Sequence, residues 1–221
     1  MMKKLQKMGG IAALYAAAAY LFAMVGYLLV LDILGVVDPV QKVALLVDNQ
    51  AFLYILNLFV YVVWGVFMVV LALALYERLK AGSPAIMQTA TAIGIIWACV
   101  VIASGMVANI GMETVVDLYG KDPAQAATVW LAIESVVDGL GGTGGEILGG
   151  LLVLLVSWAA LRAGEFPRAL NYIGAVIGVA GILSTVPALY GVLGPLFGVV
   201  QIVWFIWLGI IMLRGSRSAA A

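Results

Sequence analysis

The sequence predicts an all-α protein, a polytopic membrane helix bundle with six transmembrane helices. Three observations carry that expectation. Of the 221 residues, 65% are hydrophobic and 10% charged, and the mean hydropathy is +1.17. A water-soluble globule of this size needs far more polar surface, so the matching solvent is a bilayer. Six apolar segments approach or exceed the ~20 residues that cross a roughly 30 Å hydrocarbon layer. The basic residues cluster on alternate connections, the pattern that orients membrane helices.

The first apolar segment, residues 9–34, follows Lys3, Lys4 and Lys7. It is longer than the hydrophobic region of a cleaved signal peptide, so it is expected to remain as the first span. The others occupy residues 51–76, 86–112, 144–162, 171–188 and 196–213, and shorter outer helices are expected at 39–47 and 123–138. All belong to a single membrane domain, residues 1–221. Lys3, Lys4, Lys7, Arg78, Lys80, Arg162, Arg168, Arg214 and Arg217 fall at one set of ends, leaving Lys42 and Lys121 for the other. Both termini are therefore expected in the cytoplasm, as an even number of spans requires. The opposite ends are acidic, with Asp32, Asp38, Asp48, Glu113, Asp117, Asp122, Glu134, Asp138 and Glu146. A solvated outer rim explains this most simply; a cation-attracting mouth is the sharper alternative.

The outer connections carry a repeated motif. Asp32–Gln41 reads DILGVVDPVQ and Asp117–Gln125 reads DLYGKDPAQ, and the spans that follow end in RLKAGSP and LRAGEFP. Landmarks in the same register predict that spans one and two are duplicated as spans three and four, about a pseudo-axis along the membrane normal. The last two spans lack the motif. Locally, Asp38 and Asp122 suit helix caps, Pro39 and Pro123 suit first turns, and Gln41 and Gln125 sit where a capping box would reach back.

Residues 130–150, WLAIESVVDGLGGTGGEILGG, set three carboxylates among seven glycines. An unbroken helix from Pro123 to Arg162 would run about 60 Å, twice the membrane thickness, so the glycines are expected to break it. Thr143 and Glu146 have capping-box spacing for the next helix. On the first half, Ala126, Val129, Trp130, Ile133, Val136 and Val137 fall on one arc and Thr128, Glu134, Ser135 and Asp138 on the other. Glu134 and Asp138, one turn apart, are expected to share a face, and their position before the span favours solvated acids over a buried pair. With Glu146, Asp117 and Glu113 they form the candidate ion or ligand site.

Gly141, Gly145 and Gly149, Gly174 with Gly178, and Gly194 with Gly198 recur at the four-residue spacing of close helix seams. Asn57, Ser104, Asn109, Ser157 and Gln201 are polar groups inside spans and are expected to bond between helices or to the backbone. Tyr61, Trp64, Trp97 and Trp204 sit near mid-span, where core packing is the simpler reading and an apolar ligand pocket the alternative.

Histidine is absent and Cys99 is the only cysteine, so an intrachain disulfide and a thiolate cluster are excluded. No phosphate loop, dinucleotide fingerprint or metalloprotease motif is present, and neither a metal nor another cofactor is expected. Nucleic-acid binding finds no basic patch beyond the inside-positive loops.

The stretch ETVVDLYGKDPAQAATVWLAIESVVDGLGGTGGEILGG, followed by SWAALRAG, FPRALNYIG and VWFIWLGIIMLR, resembles a prokaryotic family of six-helix integral membrane proteins, domain of unknown function 4386. The resemblance implies a multi-pass protein of a bacterial or archaeal plasma membrane and carries over no catalytic or ligand residues. Three classes of function stay open. A non-enzymatic binding or accessory module, for a lipid, an apolar small molecule, a membrane partner or a second copy, is favoured by the lack of strong intramembrane charge. A small proton- or cation-coupled transporter is favoured by the acidic mouth. A membrane-embedded enzyme has the least support.

Overall fold

The computed structural model describes residues 2–31, 35–141 and 146–218, and these are almost wholly helical. Helix α1 (Met2–Met24) runs on into a π-helical turn, Val25–Val30. Two short helices follow, α2 (Pro39–Asp48) and α3 (Gln50–Asn57). A second π-turn, Leu58–Val63, joins α3 to α4 (Trp64–Leu79). Then come α5 (Pro84–Tyr119), α6 (Pro123–Leu140), α7 (Glu146–Ala163), α8 (Arg168–Leu183) and α9 (Pro187–Ser218).

Among the described residues, five helical stretches are long and apolar enough to cross a membrane: Lys3–Leu28, Gln50–Leu79, Pro84–Tyr119, Glu146–Ala163 and Pro187–Gly215. Arg168–Leu183 is apolar but has only 16 residues, about 24 Å. Their outward faces leave Ile110, Val176, Val192 and Val203 more than half exposed. So much bare aliphatic surface is costly in water and costs nothing against lipid tails. The protein is a helical membrane protein.

Boundaries follow local chemistry. The Asp38 carboxylate accepts from the Gln41 backbone N–H at 2.8 Å, and the Asp122 carboxylate from that of Gln125 at 3.0 Å, each with a proline opening the first turn. These are N-caps, satisfying donors that a helix start leaves unpaired. Asp38→Ala and Asp122→Ala are each expected to cost about 1 kcal/mol, read as a lower unfolding midpoint in detergent; an unmoved midpoint would show that neighbouring packing carries the outer helices instead. Near the C-terminus the break lies at residues 184–186, not 189–195, so the fifth apolar helix ends at Leu183 instead of 188 and the sixth begins at Pro187 instead of 196. Pro187 opens that helix, and Pro195 is accommodated within it. In lipid a proline does not end a helix when neighbours re-satisfy the freed carbonyl. The cap from Thr143, and Asp32, Gly142, Gly144 and Gly145, lie outside the described residues.

The six long or apolar rods form a closed ring in which α1 touches α4, α4 touches α5, α5 touches α7, α7 touches α8, α8 touches α9, and α9 returns to α1. Each neighbour is antiparallel. Gly10 faces Gly209 and Leu213 while Leu14 faces Gly209; Gly65 faces Ile102 while Gly94 faces Ala72; Gly181 faces Phe197 while Gly174 faces Trp204. One end of the ring therefore gathers Lys3, Lys4, Lys7, Arg78, Arg162, Arg168 and Arg214. There Arg78 donates to Glu165 at 3.0 Å and lies over the Phe166 ring at 4.6 Å, across a turn where Gly164 and Phe166 both have positive φ.

Two apolar cores result. The main one fills the ring with Trp64, Met68, Trp97, Val153, Phe197, Phe205 and Leu208. The smaller one, Val43, Leu46, Leu53, Met112, Val115, Ala126 and Trp130, lies where α2 and α6 close the other end. The expected apolar arc of α6 is largely turned inward, but Val136 is half exposed and Ala127 is buried instead.

A candidate site at the outer end

The α2/α6 end of the ring, called the outer end here, holds a cavity of about 250 Å³ lined by Ala19, Tyr20, Ala23, Tyr27, Val60, Tyr61, Trp64, Trp97, Val101, Asp138, Gly141 and Glu146. Its parts come from five helices. Both π-turns contribute, one supplying Tyr27 and the other Val60 and Tyr61. A π-turn inserts an extra residue into the helical ladder and re-aims the side chains beyond it, which is why such turns recur at functional sites.

The floor is aromatic and rigid. Trp64 and Trp97 meet edge to face, with centroids 4.8 Å apart and planes at 79°, and Tyr20 meets Trp64 at the same angle, 6.2 Å away. Both tryptophans are buried, and the Trp64 indole N–H has no partner among the described residues. Below this floor the main core continues through Phe205, which contacts Tyr20 and Trp204.

A polar chain fixes the wall. The Tyr27 hydroxyl donates to the Asn57 side-chain oxygen, the Asn57 amide donates to Asn109 at 2.9 Å, and the Asn109 amide donates to the Tyr54 carbonyl at 3.3 Å. These bonds tie α1, α3 and α5 together around the cavity, the use membrane bundles make of buried amides. On the opposite side the Ser104 hydroxyl donates to the Val137 carbonyl at 2.8 Å and so pins the end of α6 against α5. Gly141 then passes so close to the Val101 backbone that a Cβ would lie 2.9 Å from its Cα. Asp138 is held between these two fixed points.

The structure divides the acidic set that sequence spacing groups together. Asp138 and Glu146 line the cavity, where Asp138 lies within electrostatic reach of Tyr61 and Glu146 of Tyr20. Glu134 instead pairs with Lys42 of α2 at 2.6 Å, both side chains about three-quarters buried, so it fastens the outer helices. Residues four apart stay on nearly one helix face but lie about 6 Å apart along it, so Glu134 stands a turn nearer the start of α6, level with α2. Neither Glu134 nor Asp138 is the fully solvated acid that its position before the span favours. Glu113 and Asp117 are exposed on the far end of α5 and do not reach the site.

The four mid-span aromatics divide too. Tyr61, Trp64 and Trp97 line the cavity together with the carboxyl groups, so the two candidate sites are one. Trp204 does not join them: it is buried beside Ser157, Gly174 and Phe205, among α7, α8 and α9. Tyr20 and Tyr27 are the residues sequence reasoning missed. They stand seven apart, two turns on one face of the first helix, and that spacing was the signal. Among the described residues no three His, Cys, Asp or Glu side chains converge.

Fold and site together define a helical membrane protein with an aromatic, acidic cavity at one end of its bundle. The chain belongs to the family described as "Domain of unknown function (DUF4386)", which matches residues 11–213. No curated protein and no solved structure matches it.

Proposed function

We propose that the protein is a non-enzymatic binding module of a prokaryotic plasma membrane, with both termini in the cytoplasm and a ligand site open to the outside. The observation that carries this reading is the cavity's floor. The Trp64–Trp97 pair closes it, with Phe197 and Phe205 of the main core packed around it. A concave, mostly apolar site with a few convergent polar groups is the shape that holds a small molecule. Support for the orientation comes from the basic residues gathered at the opposite end of the bundle. In this reading α8 is a short sixth span, and the matching Asp-Pro caps of α2 and α6 are the remnant of a duplicated hairpin.

The second reading, a proton- or cation-coupled transporter, is favoured by two carboxyl groups facing one cavity. Native mass spectrometry separates the two when combined with flux. Protein extracted gently from its own membrane is expected to retain a stoichiometric small molecule, and Ala23→Trp, which fills the cavity, is expected to lose it with helicity unchanged. Retention by the filled variant would place the ligand elsewhere. Ion-dependent flux in liposomes that vanishes in Asp138→Asn/Glu146→Gln would make the transporter reading primary.

A further inference from the structure

We propose that the outer cavity is an aromatic cage for a small alkylated ammonium ion. This inference rests on the reading of the cavity as a ligand site and names the ligand's chemistry.

Four features converge on that class. First, the lining is acidic and aromatic without any basic side chain: two carboxyl groups, three tyrosines and two tryptophans. A positive occupant stabilises both carboxylates in a site where surrounding apolar groups keep the effective dielectric low. Second, the aromatic planes are arranged as a box. Tyr20 and Trp97 each stand at 79° to Trp64, so the rings at the cavity are steeply inclined rather than one stacked surface. Aromatic boxes hold quaternary and alkylated ammonium groups because the ring quadrupole attracts the cation from several sides at once, most strongly where water is excluded. Third, the rest of the described lining is Ala19, Ala23, Val60, Val101 and Gly141, which supplies contact for alkyl groups and no further side-chain oxygen. Two carboxyl groups fall well short of the six to eight oxygens that calcium takes. An inorganic monovalent ion would forfeit hydration against those methyl groups, whereas an alkylated ammonium carries its own apolar coat. Fourth, the cavity, at about 250 Å³, lies below the roughly 300–1,000 Å³ of drug-sized sites, so the occupant is small.

The test uses the full-length protein in lipid nanodiscs at constant sodium chloride. Tetramethylammonium and choline are titrated against 3,3-dimethylbutan-1-ol, the uncharged carbon analogue of choline. Both cations are expected to raise the thermal unfolding midpoint and to change tryptophan fluorescence saturably, with the neutral analogue weaker by roughly tenfold or more. Asp138→Asn/Glu146→Gln is expected to lose that preference, and Glu146→Gln alone to reduce it if the double variant fails to fold. Equal binding of the neutral analogue would overturn the cation class and leave the binding-module reading standing as an apolar pocket. In a separate titration with sodium chloride as the only added salt, an equal response would assign the site to an inorganic ion. Silence from all probes would overturn the proposed class. The binding-module reading would fall with it only if no co-extracted molecule were found.

Discussion

Gly178→Ala is expected to lower the unfolding midpoint sharply, while Gly198→Ala leaves it unchanged or raises it. Both glycines belong to four-residue pairs, Gly174/Gly178 and Gly194/Gly198, and the sequence treats them alike. At Gly178 an added Cβ would sit 2.7 Å from the Leu154 backbone nitrogen and 2.8 Å from the Gly150 carbonyl oxygen. Reciprocally, a Cβ on Gly150 would lie 2.6 Å from the Gly178 carbonyl. The obstacles are backbone atoms, so no rotamer change relieves them and α7 must separate from α8. Overpacking of this kind costs about 1–3 kcal/mol and occasionally more, and the upper end applies when backbone must move. Replacing a helical glycine by alanine returns up to ~1 kcal/mol of propensity, which does not offset that cost. At Gly198 a Cβ would meet nothing within 4 Å, so only the propensity gain is left. Thermal unfolding in one detergent checks both variants. Equal midpoints would show that the α7–α8 backbones separate at little cost.

Trp97→Ala carries the second large effect. Trp97 is 3% exposed, closes the floor against Trp64, and its ring fills the groove over Gly149. In a soluble core a truncation of this size costs about 3–5 kcal/mol, part from lost transfer and part from the void left behind. The transfer part shrinks in a membrane, because lipid tails are as apolar as the protein interior. The void remains, since the surrounding rings lose their contacts outright. The expected loss is therefore about 3 kcal/mol, with an unfolding midpoint well below that of the parent and a cavity reaching toward Phe197. Trp97→Phe, which keeps a ring, is expected to recover much of the loss. A Trp97→Ala protein as stable as the parent would mean that the floor is loosely packed, and the argument for a closed cavity would fail.

The two variants mark the line between what residues show alone and what their arrangement adds. The Asp-Pro caps were legible because a cap is a local event, decided within four residues of Asp38 and of Asp122. So was the end of α6 near the glycines, which falls at Leu140 with Gly141 following it. The sixth rod begins at Pro187 rather than 196, since lipid and neighbouring helices allow Pro195 inside it. The candidate site was half legible. Asp138, Glu146, Tyr61, Trp64 and Trp97 were each singled out, but as two separate groups, and with Trp204, Glu134, Asp117 and Glu113 beside them.

By itself, the sequence determined the class of solvent, the helical architecture and the segregation of charge along the chain, because composition, run length and capping chemistry act locally. Tertiary structure alone decided that Asp138 faces the aromatic floor while Glu134 turns to Lys42, that Gly178 is a seam and Gly198 is not, and that Tyr20 and Tyr27 complete the cavity. The reason is angular. Spacing assigns residues to a helical face but does not orient that face toward a neighbour, and a π-turn adds one residue and so rotates all that follows by about 100°. Two such turns, Val25–Val30 and Leu58–Val63, border this cavity.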